Sequence, residues 1–211
     1  RALNDIRKTR PGLLKASDLV KAIAAGMIMP KEEYNSILKE LITQTRDSDY
    51  ESGEKPKVMV CGHPCGMPEE EILDLIEEMG AVIVGDDFFT GSRYFSVDVP
   101  CSGDPVEAYA DFLLNLIPCT TYHYPQNWIG QDRSISTYGD YVADHVRENG
   151  IQGVILLREM YCDPFDLEFV MLKKKLEERN IVHITLNTGH EAGSLETQRT
   201  RIQGYLEMLN C

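Results

Sequence analysis

The chain has 211 residues, 43% hydrophobic and 26% charged, with 34 acidic against 21 basic side chains and a formal net charge of −13. These proportions belong to a globular domain and exclude a disordered or fibrous chain, while the acidic balance repels phosphate backbones and argues against a nucleic-acid binder. No apolar run reaches the ~18 residues of a membrane helix, and the opening RALNDIRKTR is polar where a signal peptide is apolar, so a soluble cytoplasmic protein without a membrane partner is expected.

Residues 1–48 carry Leu13, Leu14, Leu19, Val20, Ile23, Ile28, Tyr34, Ile37, Leu38 and Leu41 at helical spacing and read as a helical appendage. Ser17 is the expected N-cap of one helix, and Pro30 fits the start of a second over about 31–45. The apolar stripe is expected to face a further domain or a partner. A start at Arg1 fits a piece of a longer protein. The polar RDSDYESGEKP (46–56) reads as a linker.

From Lys57 the pattern becomes that of an α/β domain, 57–211. Strands are predicted at KVMV (57–60), AVIVG (81–85), GVILL (153–157) and IVHITL (181–186), and helices over 68–79, 104–116, 136–148, 165–179 and 195–209. Continuous apolar strands require a parallel sheet covered on both faces. Their alternation with helices predicts a doubly wound fold, Rossmann- or flavodoxin-like. One reversal with right-handed crossovers gives a four-stranded sheet in the order 2-1-3-4. The stretch of about 86–150 is an insertion, longer than a simple crossover.

Ligands of such sheets bind at the carboxyl ends of the strands. Four groups of reactive residues fall there: Cys61, His63 and Cys65 in CGHPCG; Asp86, Asp87 and Arg93 in GDDFFTGSRYF; Cys162 and Asp163 in REMYCDP; and His190 and Glu191 in NTGHEAG. Structural readings stand beside the functional ones. Cys61 and Cys65 lack the C-x2-C spacing of common metal pairs, His63 fits a solvated loop, and Asp86 and Asp87 fit caps of the following turn. The six cysteines are expected to be reduced, with Cys101 and Cys119 as packing residues and Cys211 terminal. No glycine-rich phosphate cradle is present.

The segment 153–209 resembles the C-terminal end of the 2-hydroxyacyl-CoA dehydratase/benzoyl-CoA reductase family. The family pattern of a strand, an aromatic before Cys-Asp/Glu-Pro, a helix, a strand, an acidic loop and an Arg-Thr-Arg helix start corresponds to Tyr161-Cys162-Asp163-Pro164, Glu191 and Arg199-Thr200-Arg201. GDDFFTGSRYFSVDV (85–99), GDPVEAYADFLL (103–114) and Pro118-Cys119 are similar too, and the resemblance spans essentially 57–209. It implies a subunit of a heterodimer carrying a 4Fe–4S cluster on thiolates. An acyl-CoA substrate, a homologous partner subunit and an ATP-dependent activator protein that delivers one electron are implied with it. Dehydratases of the family reduce the thioester carbonyl to a ketyl radical and expel the hydroxyl; the reductases deliver electrons to an aromatic ring. The stretch 85–123 leans toward the reductase branch.

By the same resemblance Cys162 corresponds to the family's C-terminal cluster ligand. The other ligands lie upstream in the family, and no family position carries onto Cys61 or Cys65. The chain is therefore expected to supply part of a ligand set. Pro164 can open a helix whose N-terminal field stabilises a thiolate at Cys162. The alternative from a different class is a noncatalytic α/β binding module that keeps the fold without a cluster.

Overall fold

The computed structural model describes residues 1–50, 53–62, 67–117, 137–188 and 195–209. Four parallel strands, β1 (Lys57–Cys61), β2 (Val82–Asp86), β3 (Gly153–Glu159) and β4 (Val182–Thr188), form one sheet in the order β2-β1-β3-β4, as the alternation of strands and helices predicts. Eight helices are described: α1 (Ala2–Thr9), α2 (Ala16–Ile28), α3 (Lys31–Asp47), α4 (Glu70–Glu78), α5 (Pro105–Leu114), α6 (Thr137–Glu148), α7 (Asp163–Glu178) and α8 (Leu195–Leu209).

Alternation along each strand sorts the core into two layers. Val58, Val60, Ile83, Ile155 and Leu157 pack with α2, α4 and α8 on one face. Met59, Cys61, Val82, Val84, Val154 and Leu156 pack with α6 and α7 on the other. The β1–β2 pairing slips once, so that Val58 lies opposite Ile83 but Met59 opposite Gly85, and Val60 is brought level with Asp86.

The two edge strands differ. In β4 apolar residues alternate with polar His183, Thr185 and Asn187, and every position but Leu186 and Thr188 is half-exposed, so the apolar pattern of a strand covered on both faces weakens there. β2 is buried at all five residues although it ends the sheet, because α1 packs against it. Covering an edge with a helix removes a template for unwanted strand pairing.

The N-terminal helices build a third cluster of their own. Leu3, Ile6, Leu14, Leu19 and Ile23 are buried among Leu13, Leu38, Leu41 and Phe95. Most of the stripe expected to face a partner is therefore consumed internally, although Ile28 and Ile37 remain exposed. The opposite side of α2 sends Ala16 and Val20 into the sheet core.

Ser17 is not a cap. α2 begins a residue earlier, behind Lys15, and the Ser17 hydroxyl donates to Asp74 Oδ1 of α4 at 2.7 Å. The hydroxyl thus ties two helices together instead of satisfying its own helix end. α5 shows the capping chemistry in full: Asp104 accepts from the Val106 and Glu107 amides, with Pro105 in the first turn.

His145 of α6 lies against β2, where a Cβ on Gly85 would come within 3.1 Å of its Nε2. That nitrogen is buried without a hydrogen-bond partner. Burial first, then the nearby Lys8 ammonium, lowers the imidazole from its ordinary 6.5 to about 4. The unfolded chain therefore binds the proton more readily between those values, and stability must fall as pH drops through that window. In urea titrations the folded state is expected to lose on the order of 2 kcal/mol between pH 6.5 and 4, after allowance for the ring's partial exposure. His145→Leu should flatten that part of the profile; an unchanged slope would assign it to other groups.

Candidate functional site

β2 ends on two carboxylates that leave water almost completely, Asp86 at 1% exposure and Asp87 at 0%. Asp86 Oδ2 accepts from Arg7 Nη2 of α1 at 2.6 Å, and Arg7 is itself 1% exposed. Arg7 also donates to Asn4 Oδ1 at 2.7 Å. The other oxygen, Asp86 Oδ1, accepts from the Phe88 amide at 3.2 Å, the Ser92 amide at 2.7 Å and the Ser92 hydroxyl at 3.0 Å. Asp86 thus caps the 3-10 turn Ser92–Phe95, the turn-capping role that its sequence context allows. Gly91 makes room for it, since a Cβ there would fall 2.2 Å from Asp86 Oδ1. Burial pushes the Asp86 carboxyl up, but the Arg7 guanidinium and the Ser92 donors outweigh it and hold the group below the usual carboxylate range.

Asp87 faces the other way. Its Oδ2 accepts from the Tyr138 hydroxyl of α6 at 2.6 Å and lies 3.7 Å from Arg93 Nη2. Its Oδ1 accepts from the Gly62 amide at 3.2 Å. Burial dominates here and raises the Asp87 carboxyl, with Arg93, Tyr138 and Gly62 opposing. Arg93 also donates to the carbonyls of Asp87 and Ile117, so one side chain ties the strand end to the segment just after α5.

Cys61 lies wholly inside this region. Burial, then the Asp87 carboxylate, pushes its thiol well up, against a contact from the Tyr138 hydroxyl. A thiol held protonated in a packed core is a poor nucleophile and a poor metal ligand. Gly62 follows it at φ +103, and a Cβ there would lie 2.7 Å from Phe165 Cζ and 2.8 Å from the Leu157 carbonyl oxygen. The backbone leaving β1 is therefore pressed against the first turn of α7.

That first turn carries Cys162. Tyr161 adopts φ +67, a left-handed conformation that a bulky residue takes at a cost of roughly 1–2 kcal/mol. The reversal places Cys162 at the N-cap of α7, with Pro164 in the first helical turn. The Cys162 carbonyl accepts from the Asp166 amide at 2.9 Å. Arg158 grips Asp166 through two hydrogen bonds of 2.6 and 2.9 Å, fixing β3 to the start of α7. On the neighbouring strand the Thr188 hydroxyl donates to Glu159 at 3.1 Å. Cys162 is half-buried and unbridged, as are the other two described cysteines with respect to disulfides.

The structure thus brings Cys61, Asp86, Asp87 and Arg93 into one buried lattice and sets Cys162 at the same sheet edge. His63, Cys65, His190 and Glu191 lie outside the described residues. Arg199 and Arg201 act as ties: Arg201 donates to the Thr185 carbonyl at 2.7 Å, and Arg199 reaches Met79 Sδ at 3.4 Å. Arg7, Ser92 and Tyr138 are the residues that sequence reasoning missed. The available signal for Arg7 was a cation on the same helix face as Leu3 and Ile6, opposite two unpaired acids at the end of an apolar strand.

A cluster of soft iron calls for thiolates with room around them. Cys162 fits that requirement as a single ligand, whereas Cys61 does not. Among the described residues no group of three or more His, Cys, Asp or Glu side chains is placed to hold a metal ion. Cys101, expected as a packing residue, is instead exposed on the insertion, so Cys162 is the accessible described thiol at the carboxyl edge. Among the same residues no helix is long and apolar enough to cross a membrane.

A parallel α/β sheet with a rigid carboxyl edge and one accessible thiol at a helix start defines the class of the protein as an α/β domain built around a strand-end site. The chain belongs to the family described as 2-hydroxyglutaryl-CoA dehydratase, D-component, whose model matches residues 1–209. It is 26% identical over 194 residues to a benzoyl-CoA reductase subunit of Thauera aromatica, covering 92% of this chain and 48% of that protein. It is 25% identical over 199 residues to the (R)-phenyllactyl-CoA dehydratase beta subunit of Clostridium sporogenes, covering 94% and 50%. With the (R)-2-hydroxyglutaryl-CoA dehydratase beta subunit of Acidaminococcus fermentans it shares 26% over 200 residues, covering 94% and 51%. The chain spans about half the length of these relatives.

The lattice makes a stability prediction. Arg7→Met leaves the Asp86 carboxylate buried without its cation and is expected to cost about 3–5 kcal/mol in urea unfolding. Adding Asp86→Asn should recover part of that loss, because the stranded charge is gone. A double variant as unstable as the sum of the two single variants would show that the pair is not coupled.

Proposed function

We propose that this chain is the C-terminal part of an iron–sulfur subunit of a 2-hydroxyacyl-CoA dehydratase or a benzoyl-CoA reductase, an enzyme that reduces an acyl-CoA thioester by single electrons. The observation that carries the reading is the family match over 1–209 together with a half-buried, unbridged Cys162 at the carboxyl edge. Within the intact enzyme, Cys162 is one thiolate ligand of a 4Fe–4S cluster, and the cluster supplies low-potential one-electron chemistry. Thiolates from outside the described residues complete the set.

The chain's own residues then act by placement. The start of α7 carries Cys162 at its N-cap, and Arg158–Asp166 holds that helix start against β3. The buried lattice of Arg7, Asp86, Asp87 and Tyr138 ties the neighbouring strand ends together, with every carboxylate oxygen accepting a hydrogen bond. A homologous partner subunit, an acyl-CoA substrate and an ATP-dependent activator in the cytoplasm complete the reading. The relatives named as subunits support the first of these.

The test uses the full-length subunit with its partner, purified without oxygen. Iron and acid-labile sulfide are expected, and a panel of acyl-CoA thioesters with the activator should separate dehydration from ring reduction. Cys162→Ala should lower the iron content and abolish turnover while the circular dichroism stays that of the parent. Full iron and turnover in that variant would remove Cys162 from the ligand set. Absence of iron and sulfide in the parent would leave the noncatalytic binding module as the better reading.

A further inference from the structure

The amino edge of the sheet, opposite the thiol, holds a cavity of about 680 Å³. Its walls come from the end of α1, with Lys8 and Pro11, from Tyr50 after α3, and from Lys55, Pro56 and Lys57 leading into β1. The volume falls within the range of small-molecule sites.

Three lysines, Lys8, Lys55 and Lys57, line it. Some lysines elsewhere meet acids, as Lys21 meets Glu70 at 2.8 Å and Lys175 meets Asp140 at 3.1 Å, while others such as Lys39 and Lys174 form no ion pair among the described residues. Among the described residues Lys8, Lys55 and Lys57 make no such side-chain pair, although the molecule carries a net charge of −13. Lys8 is half-buried, and that burial, followed by the neighbouring Arg7, lowers its pKa. Asp5, Asp86 and Glu148 offset part of that loss without forming an ion pair with Lys8, and a bound anion offsets more of it.

The remaining walls mix polar groups with a smaller apolar part. Pro11, Pro56 and Leu209 line the cavity with the ring of Tyr50, whose hydroxyl donates to the Pro11 carbonyl at 3.4 Å. Such surfaces suit a flat ring. The cavity also offers Glu54 as an acceptor for an amine or hydroxyl. The Gln152 side-chain oxygen is already taken by the Lys57 amide at 2.9 Å, which leaves its nitrogen as a donor.

We propose that this cavity binds a nucleoside monophosphate, with the phosphate on Lys8, Lys55 and Lys57 and the base against Tyr50 and the proline rings. Lysine side chains replace the backbone cradle of a glycine-rich loop, which this sequence lacks. The site is independent of the cluster reading and lies at the other edge of the sheet.

Calorimetric titration of the full chain with AMP, adenosine and inorganic phosphate tests it. AMP is expected to bind saturably at one site, more tightly than adenosine or phosphate, and to weaken as salt rises from ~50 to ~200 mM. Lys8→Gln and Lys57→Gln should each weaken AMP about tenfold with the thermal midpoint unchanged. No saturable AMP binding would overturn the proposal, as would AMP binding no tighter than phosphate. Undiminished affinity in the Lys8→Gln/Lys55→Gln/Lys57→Gln variant would place the bound nucleotide elsewhere and overturn it too.

Discussion

Two adjacent carboxylates at the end of an apolar strand set the conditions that the rest of this fold satisfies. Neither Asp86 nor Asp87 reaches solvent, and an ionised carboxylate buried without partners costs many kcal/mol. Because successive side chains of a strand point to opposite sides, one partner cannot serve both. Asp86 therefore recruits α1 through Arg7 and the turn after β2 through Ser92. Asp87 recruits α6 through Tyr138, the exit of β1 through Gly62, and Arg93. Segments far apart in the chain are locked to one point, and an edge strand is buried along its whole length.

The lattice and the thiol occupy the same edge with opposite characters. The lattice is closed: its oxygens are bound, its glycines are filled to contact, and Cys61 sits protonated within it. Cys162 is open, placed at a helix start by the left-handed Tyr161. A site that positions a ligand benefits from rigid support next to an accessible group. Gly62 joins the two, since its amide donates to Asp87 while a Cβ added to it would run into Phe165 of the helix that Cys162 begins.

Much of the fold was legible because its signals are local or periodic. The apolar runs of β1, β2 and β3, the acidic first turn of α4, and Pro164 at the start of α7 each mark an element by its own chemistry, and handedness then orders the sheet. What stayed hidden is pairwise and distant. Nothing near Arg7 says that it will meet Asp86, 79 positions away, and Tyr138 reads as an ordinary helix aromatic until Asp87 is in place. Ser17 misled for the same reason, since its local context fits a cap but Asp74 of another helix claims its hydroxyl. Of the strand-end residues, the acids were visible as a pair whose role, cap or ligand, only the partners decide.

The distribution of cations follows from the same accounting of charge. Arginines do much of the internal work: Arg7 and Arg93 inside the lattice, Arg158 at the start of α7, Arg201 on a β4 carbonyl. The guanidinium suits these posts because its planar fork serves several acceptors at once and stays charged when desolvated. The two arginines drawn fully inward, Arg7 and Arg93, are matched by Asp86 and Asp87, so the lattice is close to neutral and the excess of acids stays on the exterior. Against that background, Lys8, Lys55 and Lys57 are set apart by their convergence on one cavity at the amino edge, a local concentration of cations on an otherwise acidic chain.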